Sequence, residues 1–255
     1  MNSFKTKSPD AECVYKEVNG VKLPMKIYLP DHAVETKGTV IAIHGGAWNT
    51  GITDNSSWNG GRMAPTAKYY TQKGYISIVF SYRSVMLGDT NIYDIISDCE
   101  DAMRYIIDSF EYVDINKTVV IGDSAGGHLA TMLGISQNDE IRPRAVVACN
   151  PVLDCTREKW RYAYKSNSDY ISASPYQQNP KKCADFLFMH GTEDTVVEIE
   201  DTVNFNEKLI AMGHSSQMIT VSGAKHAFAL FDYHNSDEYV LNILSDVDKF
   251  IDGVI

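Results

Sequence analysis

Residues 118–128 read TVVIGDSAGGH. A short β-branched apolar run, Thr118–Ile121, enters Gly122-Asp123-Ser124-Ala125-Gly126 and leaves through residues 125–137, which have helical spacing. Strand, sharp turn and helix around a central serine is the form that a nucleophile elbow requires. Glycines two before and two after Ser124 let neighbouring backbones pass without a Cβ clash. The serine then stands at a helix N-terminus, where the helix dipole favours negative charge. A bare G-x-S-x-G arises by chance in roughly one chain in ten of this length, so the strand and helix around it carry the weight.

Working outward, further short apolar runs punctuate the chain: TVIAI at 39–43, ISIVF at 76–80, AVVAC at 145–149, FLFM at 186–189 and QMITV at 217–221. Each fits a strand buried on both faces, as in parallel sheets. Helical spacing fills the intervals at 63–73, 92–110, 200–212 and 236–251, with Gly74 and Gly213 as helix-end residues. Near the N-terminus, Asn19-Gly20 separates Cys13–Val18 from Val21–Leu29, a strong hairpin signal. The expected fold is α/β: a mostly parallel sheet with helices on both faces and an antiparallel N-terminal hairpin. The expected organisation is a single domain over 1–255 with a small cap or none, and a polar, aromatic insertion near 154–182 that is short for a lid.

A second strand end carries chemistry. Residues 41–51 read IAIHGGAWNTG. Acyl transfer builds negative charge on a carbonyl oxygen, and preorganised N–H groups must face it. Gly46 and Ala47, with Gly45 possible, are the expected loop donors, and Ala125, after the serine, is the other. His44 is expected to hold this loop by hydrogen bonds. A third strand ends in His190-Gly191, followed by acids at Glu193 and Asp194, and a fourth in Gly223-Ala224-Lys225-His226. A base must sit on a loop, free to place its ring between serine and acid. His226 suits that role. His190 reads as a core or supporting residue, His128 lies one turn into the elbow helix, His234 reads as surface, and His32 and His214 as solvated.

The bulk numbers agree with a water-soluble globular chain. Of 255 residues, 44% are hydrophobic and 22% charged, and the net charge is −10. That balance argues against nucleic-acid backbones and anionic membranes as partners. The five cysteines have no C-x-x-C spacing, so reduced thiols are expected, with Cys99 and Cys149 as small core residues. The N-terminal MNSFKTKSPDAEC lacks the apolar segment of a secretory leader, and a cytoplasmic location is expected.

HGGAW at 44–48, GDSAGGHLA at 122–130, HGTEDTVV at 190–197 and GAKHAF at 223–228 together resemble the hormone-sensitive-lipase-like and BD-FAE-like branch of α/β-hydrolase serine esterases. The order of strands and helices fits over nearly the whole chain. One departure is in the loop, where the lipase branch has HGGG and this chain has Ala47 and Trp48 after two glycines. HGGAW is similar to the loop of bacterial acetyl-xylan esterases, feruloyl esterases and kynurenine formamidases. The resemblance favours Asp194 over Glu193 as the acid. It implies a catalytic triad Ser124, Asp194 and His226, no metal and no organic cofactor.

The function expected is that of a serine carboxylesterase forming an acyl-enzyme on Ser124. Short acyl groups are expected, first among them O-acetyl groups on oligosaccharides derived from plant polysaccharides. A feruloyl esterase, an arylformamidase and a general short-chain carboxylesterase are the alternatives, and a non-catalytic binding protein is a remote one. Trp48 and Trp160 are the candidate substrate-binding residues. The tyrosines at 162, 164, 170 and 176 add aromatic faces that suit sugar rings.

Overall fold

The computed structural model describes residues 3–31, 36–165 and 170–255. Strands β1 (Ala11–Val18) and β2 (Val21–Tyr28) form the hairpin. Asn19 and Gly20 both have positive φ, 51° and 79°, the geometry of a two-residue turn that matches strand twist. Then follow β3 (Thr39–Ile43), β4 (Ile76–Phe80), β5 (Thr118–Asp123), β6 (Ala145–Cys149), β7 (Asp185–Gly191) and β8 (Ser216–Val221). They make one sheet in the order β1-β2-β4-β3-β5-β6-β7-β8. The β1–β2 and β2–β4 pairs are antiparallel; every pair from β4 to β8 is parallel.

Among the described residues five helices cover the sheet: α1 (Ala64–Gln72), α2 (Ile92–Ser109), α3 (Ala125–Gly134), α4 (Ile199–Ala211) and α5 (Asp237–Val254). Strand alternation divides the core in two. Ile41 and Ile43 of β3 pack with Ile95 and Met103 of α2, Leu129 of α3 and Phe205 of α4. Val40 and Ala42 face the opposite way, toward Tyr70 of α1 and Leu244 of α5. The two faces are thus filled by helices, which is why the central strands read as unbroken apolar runs. Cys99 and Cys149 are buried, as expected, and all five cysteines are free thiols.

One strand corrects its reading. The run at 217–221 was expected to be buried on both faces, but β8 is an edge strand whose residues are exposed or half-buried. Among the described residues its one neighbour is β7, and Gln217 and Thr220, on opposite faces, are exposed. The 154–182 segment, read in the sequence as an irregular insertion, carries local structure among its described residues. It contains short 3₁₀ turns at Glu158–Ala163 and Pro175–Gln177, and it packs Cys155, Trp160, Ala163, Tyr164 and Ala173 into the core. Residues 166–169 of that segment, and His32, lie outside the described residues. Among the described residues no helix is long and apolar enough to cross a membrane.

Candidate active site

The carboxyl ends of β3, β5, β7 and β8 converge on one side of the sheet, and the loops leaving them carry the chemistry. Ser124 sits between β5 and α3 with φ 55° and ψ −118°, a conformation that side-chain-bearing residues rarely adopt. The Ser124 amide donates to the Cys149 carbonyl at 2.9 Å, and the Ser124 carbonyl accepts from His128 at 3.0 Å. The flanking glycines are sterically required. A Cβ on Gly122 would lie 2.1 Å from the Gly126 carbonyl oxygen, and one on Gly126 would lie 2.1 Å from that of Ile43.

His226, on the loop after β8, places Nε2 2.9 Å from Ser124 Oγ and Nδ1 2.7 Å from Asp194 Oδ2. With the Nδ1 proton directed at the carboxylate, Nε2 is left to accept from the serine hydroxyl. The Asp194 side chain is fully buried. Its Oδ1 accepts from the amides of Val196 at 2.8 Å and Val197 at 3.0 Å. Its Oδ2 also faces His190 Nε2 at 3.2 Å. Burial pushes this carboxyl up, but the hydrogen bonds from His190, His226 and the Val197 amide outweigh it and hold Asp194 well below the usual carboxylate range. Glu193 is exposed and lies outside this chain of contacts.

His190 is the supporting residue that the sequence suggested. It is fully buried, with Nδ1 2.8 Å from Thr202 Oγ1 and Nε2 3.2 Å from the Val197 carbonyl. His128 is buried, with Nε2 2.8 Å from the Ala173 carbonyl. His234 is exposed, as expected. His214, expected to be solvated, is half-buried and meets the Pro180 carbonyl at 2.9 Å.

The loop after β3 holds an unusual backbone. Gly46, Ala47 and Trp48 have φ of 101°, 52° and 58° in succession, and left-handed non-glycine residues are strained. Side chains pin it. Thr50 Oγ1 donates to the Gly45 carbonyl at 2.8 Å and Tyr82 Oη to that of His44 at 2.8 Å. His44 lies 2.9 Å from the Gly45 carbonyl through Nδ1 and 3.0 Å from Ser81 Oγ through Nε2. Its ring stacks on Tyr82 at 4.4 Å, and burial lowers its pKa to about 4, so it is neutral at pH 7. His44 therefore holds the loop, as expected. The amides of Gly46, Ala47 and Ala125 bond to no other described residue, which leaves them for an oxyanion.

A cavity of about 310 Å³ is walled by Gly46, Ala47, Ser124, Trp160, His226 and Leu230. Trp160 thus lies where a substrate contact was expected. Trp48 does not: it is fully buried, edge-on to His128 at 5.2 Å and to Trp160 at 5.7 Å. Its positive φ turns the indole inward, so it supports Trp160 from behind. Of the insertion tyrosines, Tyr164 is buried and Tyr162 donates its hydroxyl to the Ala47 carbonyl at 2.8 Å.

Two polar residues were missed in the sequence. Asp123 is buried beside Ser124, and burial pushes its carboxyl up to about 6. Asn150, just past β6, donates to Asp123 Oδ1 at 3.2 Å and accepts from the Ala227 amide at 3.1 Å. It ties the elbow to the loop that carries His226. A polar residue at the end of a buried strand, before Pro151, was the available signal. Among the described residues no group of three or more His, Cys, Asp or Glu is arranged to hold a metal ion.

Sheet order, elbow and the aligned serine, histidine and aspartate define an α/β-hydrolase. The BD-FAE family model matches residues 25–154, and the chain belongs to the BD-FAE family. Among solved structures, the apo form of Thermogutta terrifontis esterase 2 superposes with a TM-score of 0.81 at 24% identity, covering 96% of this chain and 94% of that one. Among curated proteins, ethyl acetate hydrolase of Pseudomonas putida is 28% identical over 54% of this chain and 43% of its own length. Acylamino-acid-releasing enzyme 2 of Oryza sativa subsp. japonica is 26% identical over 76% of this chain and 28% of its own length. The matches span less than half the length of these curated relatives.

Proposed function

We propose that the protein is a serine carboxylesterase that cleaves short acyl esters through an acyl-enzyme on Ser124. The observation that carries this is the hydrogen-bonded line Asp194–His226–Ser124, which opens on a cavity edged by free amides. Ser124 Oγ attacks the ester carbonyl while His226 Nε2 takes its proton. Asp194 fixes the imidazole tautomer and stabilises the imidazolium. The amides of Gly46, Ala47 and Ala125 receive the oxyanion. His226 then protonates the leaving alcohol, and water repeats the cycle on the acyl group.

The cavity volume of about 310 Å³ is at the small end for ligand sites and favours short acyl chains. Within that class, O-acetyl groups on oligosaccharides are the first candidates and feruloyl groups the second; Trp160 supports the sugar reading from the cavity wall. The likeness to ethyl acetate hydrolase supports the wider class of small esters.

The test is acetate release from acetylated xylo-oligosaccharides by wild type and Ser124→Ala, with methyl ferulate and para-nitrophenyl acetate in parallel. Release that vanishes in the variant supports both the triad and the sugar ester. Cleavage of only the activated ester keeps the triad and removes the sugar. Activity retained in Ser124→Ala overturns the mechanism.

A further inference from the structure

Arg62, between β3 and α1, lines the same cavity as Ser124 and His226. Its guanidinium lies 4.4 Å from the ring centroid of Tyr233, which lines that cavity too. It forms no ion pair or hydrogen bond with any described residue. Stacking on an aromatic face restricts a guanidinium while leaving its N–H fork free. A second cavity of about 620 Å³ adjoins the first, sharing Val196 and His226, and Lys225 lines it. Lys225 also lacks an ion pair among the described residues.

Two cations face the cleft although the chain as a whole is acidic. The chain carries 33 acidic against 23 basic residues. Yet the two cavities present Arg62 and Lys225 and a single carboxyl, Asp123, which is buried beneath the nucleophile and held by Asn150. Arg62 lies near enough to Asp123 to draw that carboxyl's pKa down, but no hydrogen bond or ion pair ties its fork there. Asp123 and Asp194 are buried behind Ser124 and His226, so the charges that face the cleft from its wall are those of Arg62 and Lys225; exposed cations attract an anion, and a guanidinium fork matches a carboxylate.

We propose that the esters taken by this site carry an anionic group, a carboxylate in the first instance, seated on Arg62 with Lys225 as the neighbouring cation. The proposal rests on Ser124 acting as an esterase nucleophile for its kinetic test, and on Arg62 alone for its binding test.

The kinetic test uses two matched ester pairs, para-acetoxybenzoate with para-acetoxybenzamide, and the mono-para-nitrophenyl ester of succinate with para-nitrophenyl butyrate. The quantity read is the ratio of kcat/KM for the anionic ester to that for its neutral partner. In at least one pair that ratio should favour the anion in wild type and fall about tenfold or more in Arg62→Met, with partial recovery in Arg62→Lys. It should also fall as salt is added. The binding test titrates benzoate and benzamide into wild type and Arg62→Met by calorimetry. Benzoate should bind wild type more tightly than benzamide does, and lose that advantage in the variant. Ratios that do not move in either pair, or benzoate that binds no better than benzamide, overturn the anion site. If benzoate discriminates while no ester is cleaved, the anion site stands and the esterase falls.

Discussion

His190 and His226 share one oxygen: His190 Nε2 lies 3.2 Å, and His226 Nδ1 2.7 Å, from Asp194 Oδ2. With Thr202 at its other nitrogen, His190 fixes the carboxylate from behind while His226 works in front. Replacing His190 with Phe keeps the volume and removes the donor. The expected result is a kcat about tenfold lower, with KM for para-nitrophenyl acetate little changed. The buried Thr202 hydroxyl loses its partner, so stability should also drop by about 1–3 kcal/mol. Urea denaturation and steady-state kinetics on one preparation check both. A stability loss with unchanged kcat would make His190 a packing residue only. The depressed Asp194 pKa has a pH signature as well. Its stabilisation is present above about 4, the unfolded value, and is lost as the pH falls below that.

Asp123 has the opposite sign. Burial raises its folded pKa to about 6 from an ordinary 3.8. Between those values the folded chain holds a proton that the unfolded chain has released. Stability therefore falls as pH rises through that window, and the penalty is complete above it. Asp123→Asn cannot ionise and keeps an acceptor for Asn150. It should be more stable than wild type at pH 8, by on the order of 3 kcal/mol, and gain little at pH 4. Denaturation midpoints at the two pH values measure this; an equal shift at both would mean that Asp123 does not titrate there.

Gly126 admits no side chain, because a Cβ would stand 2.1 Å from the Ile43 carbonyl oxygen. That oxygen belongs to the strand leading into the oxyanion loop. Gly126→Ala should cost at least about 2 kcal/mol and disable turnover, since the elbow and the loop are pushed apart. A variant with wild-type melting temperature and full activity would contradict the close approach.

Trp48 and Trp160 separate cleanly by experiment. Trp48 is fully buried and Trp160 lines the cavity. Trp48→Phe should lower stability by about 1–3 kcal/mol with KM for small esters within about twofold. Trp160→Ala should instead raise KM. The reverse pattern would return Trp48 to the substrate.

Much of this was legible because local rules and global fold agree. Short apolar runs became β3 to β7, since helices on both faces demand apolar residues on both sides. Ser124, Asp194 and His226 stood out because each follows a strand at a glycine-marked turn. What could not be read depends on distant neighbours. β8 has the composition of an inner strand, and only sheet order makes it an edge. Trp48 adjoins the oxyanion loop in sequence, but three successive positive φ values turn it away. Asn150 touches partners 27 and 77 residues off, and Arg62 meets Tyr233 across a gap that no local pattern records.

The order in which the site is assembled follows from the same placement. The oxyanion loop and Ser124 leave β3 and β5, whereas His226 comes 102 residues after the serine. At ribosomal rates that gap is on the order of ten seconds. Through that interval the serine is an ordinary alcohol, with no base to strip its proton. It becomes reactive only when β7 and β8 join the sheet and bring Asp194 and His226 with them. On the proposed mechanism a chain without its last two strands would not hydrolyse esters, and the onset of hydrolysis would report that β8 has docked.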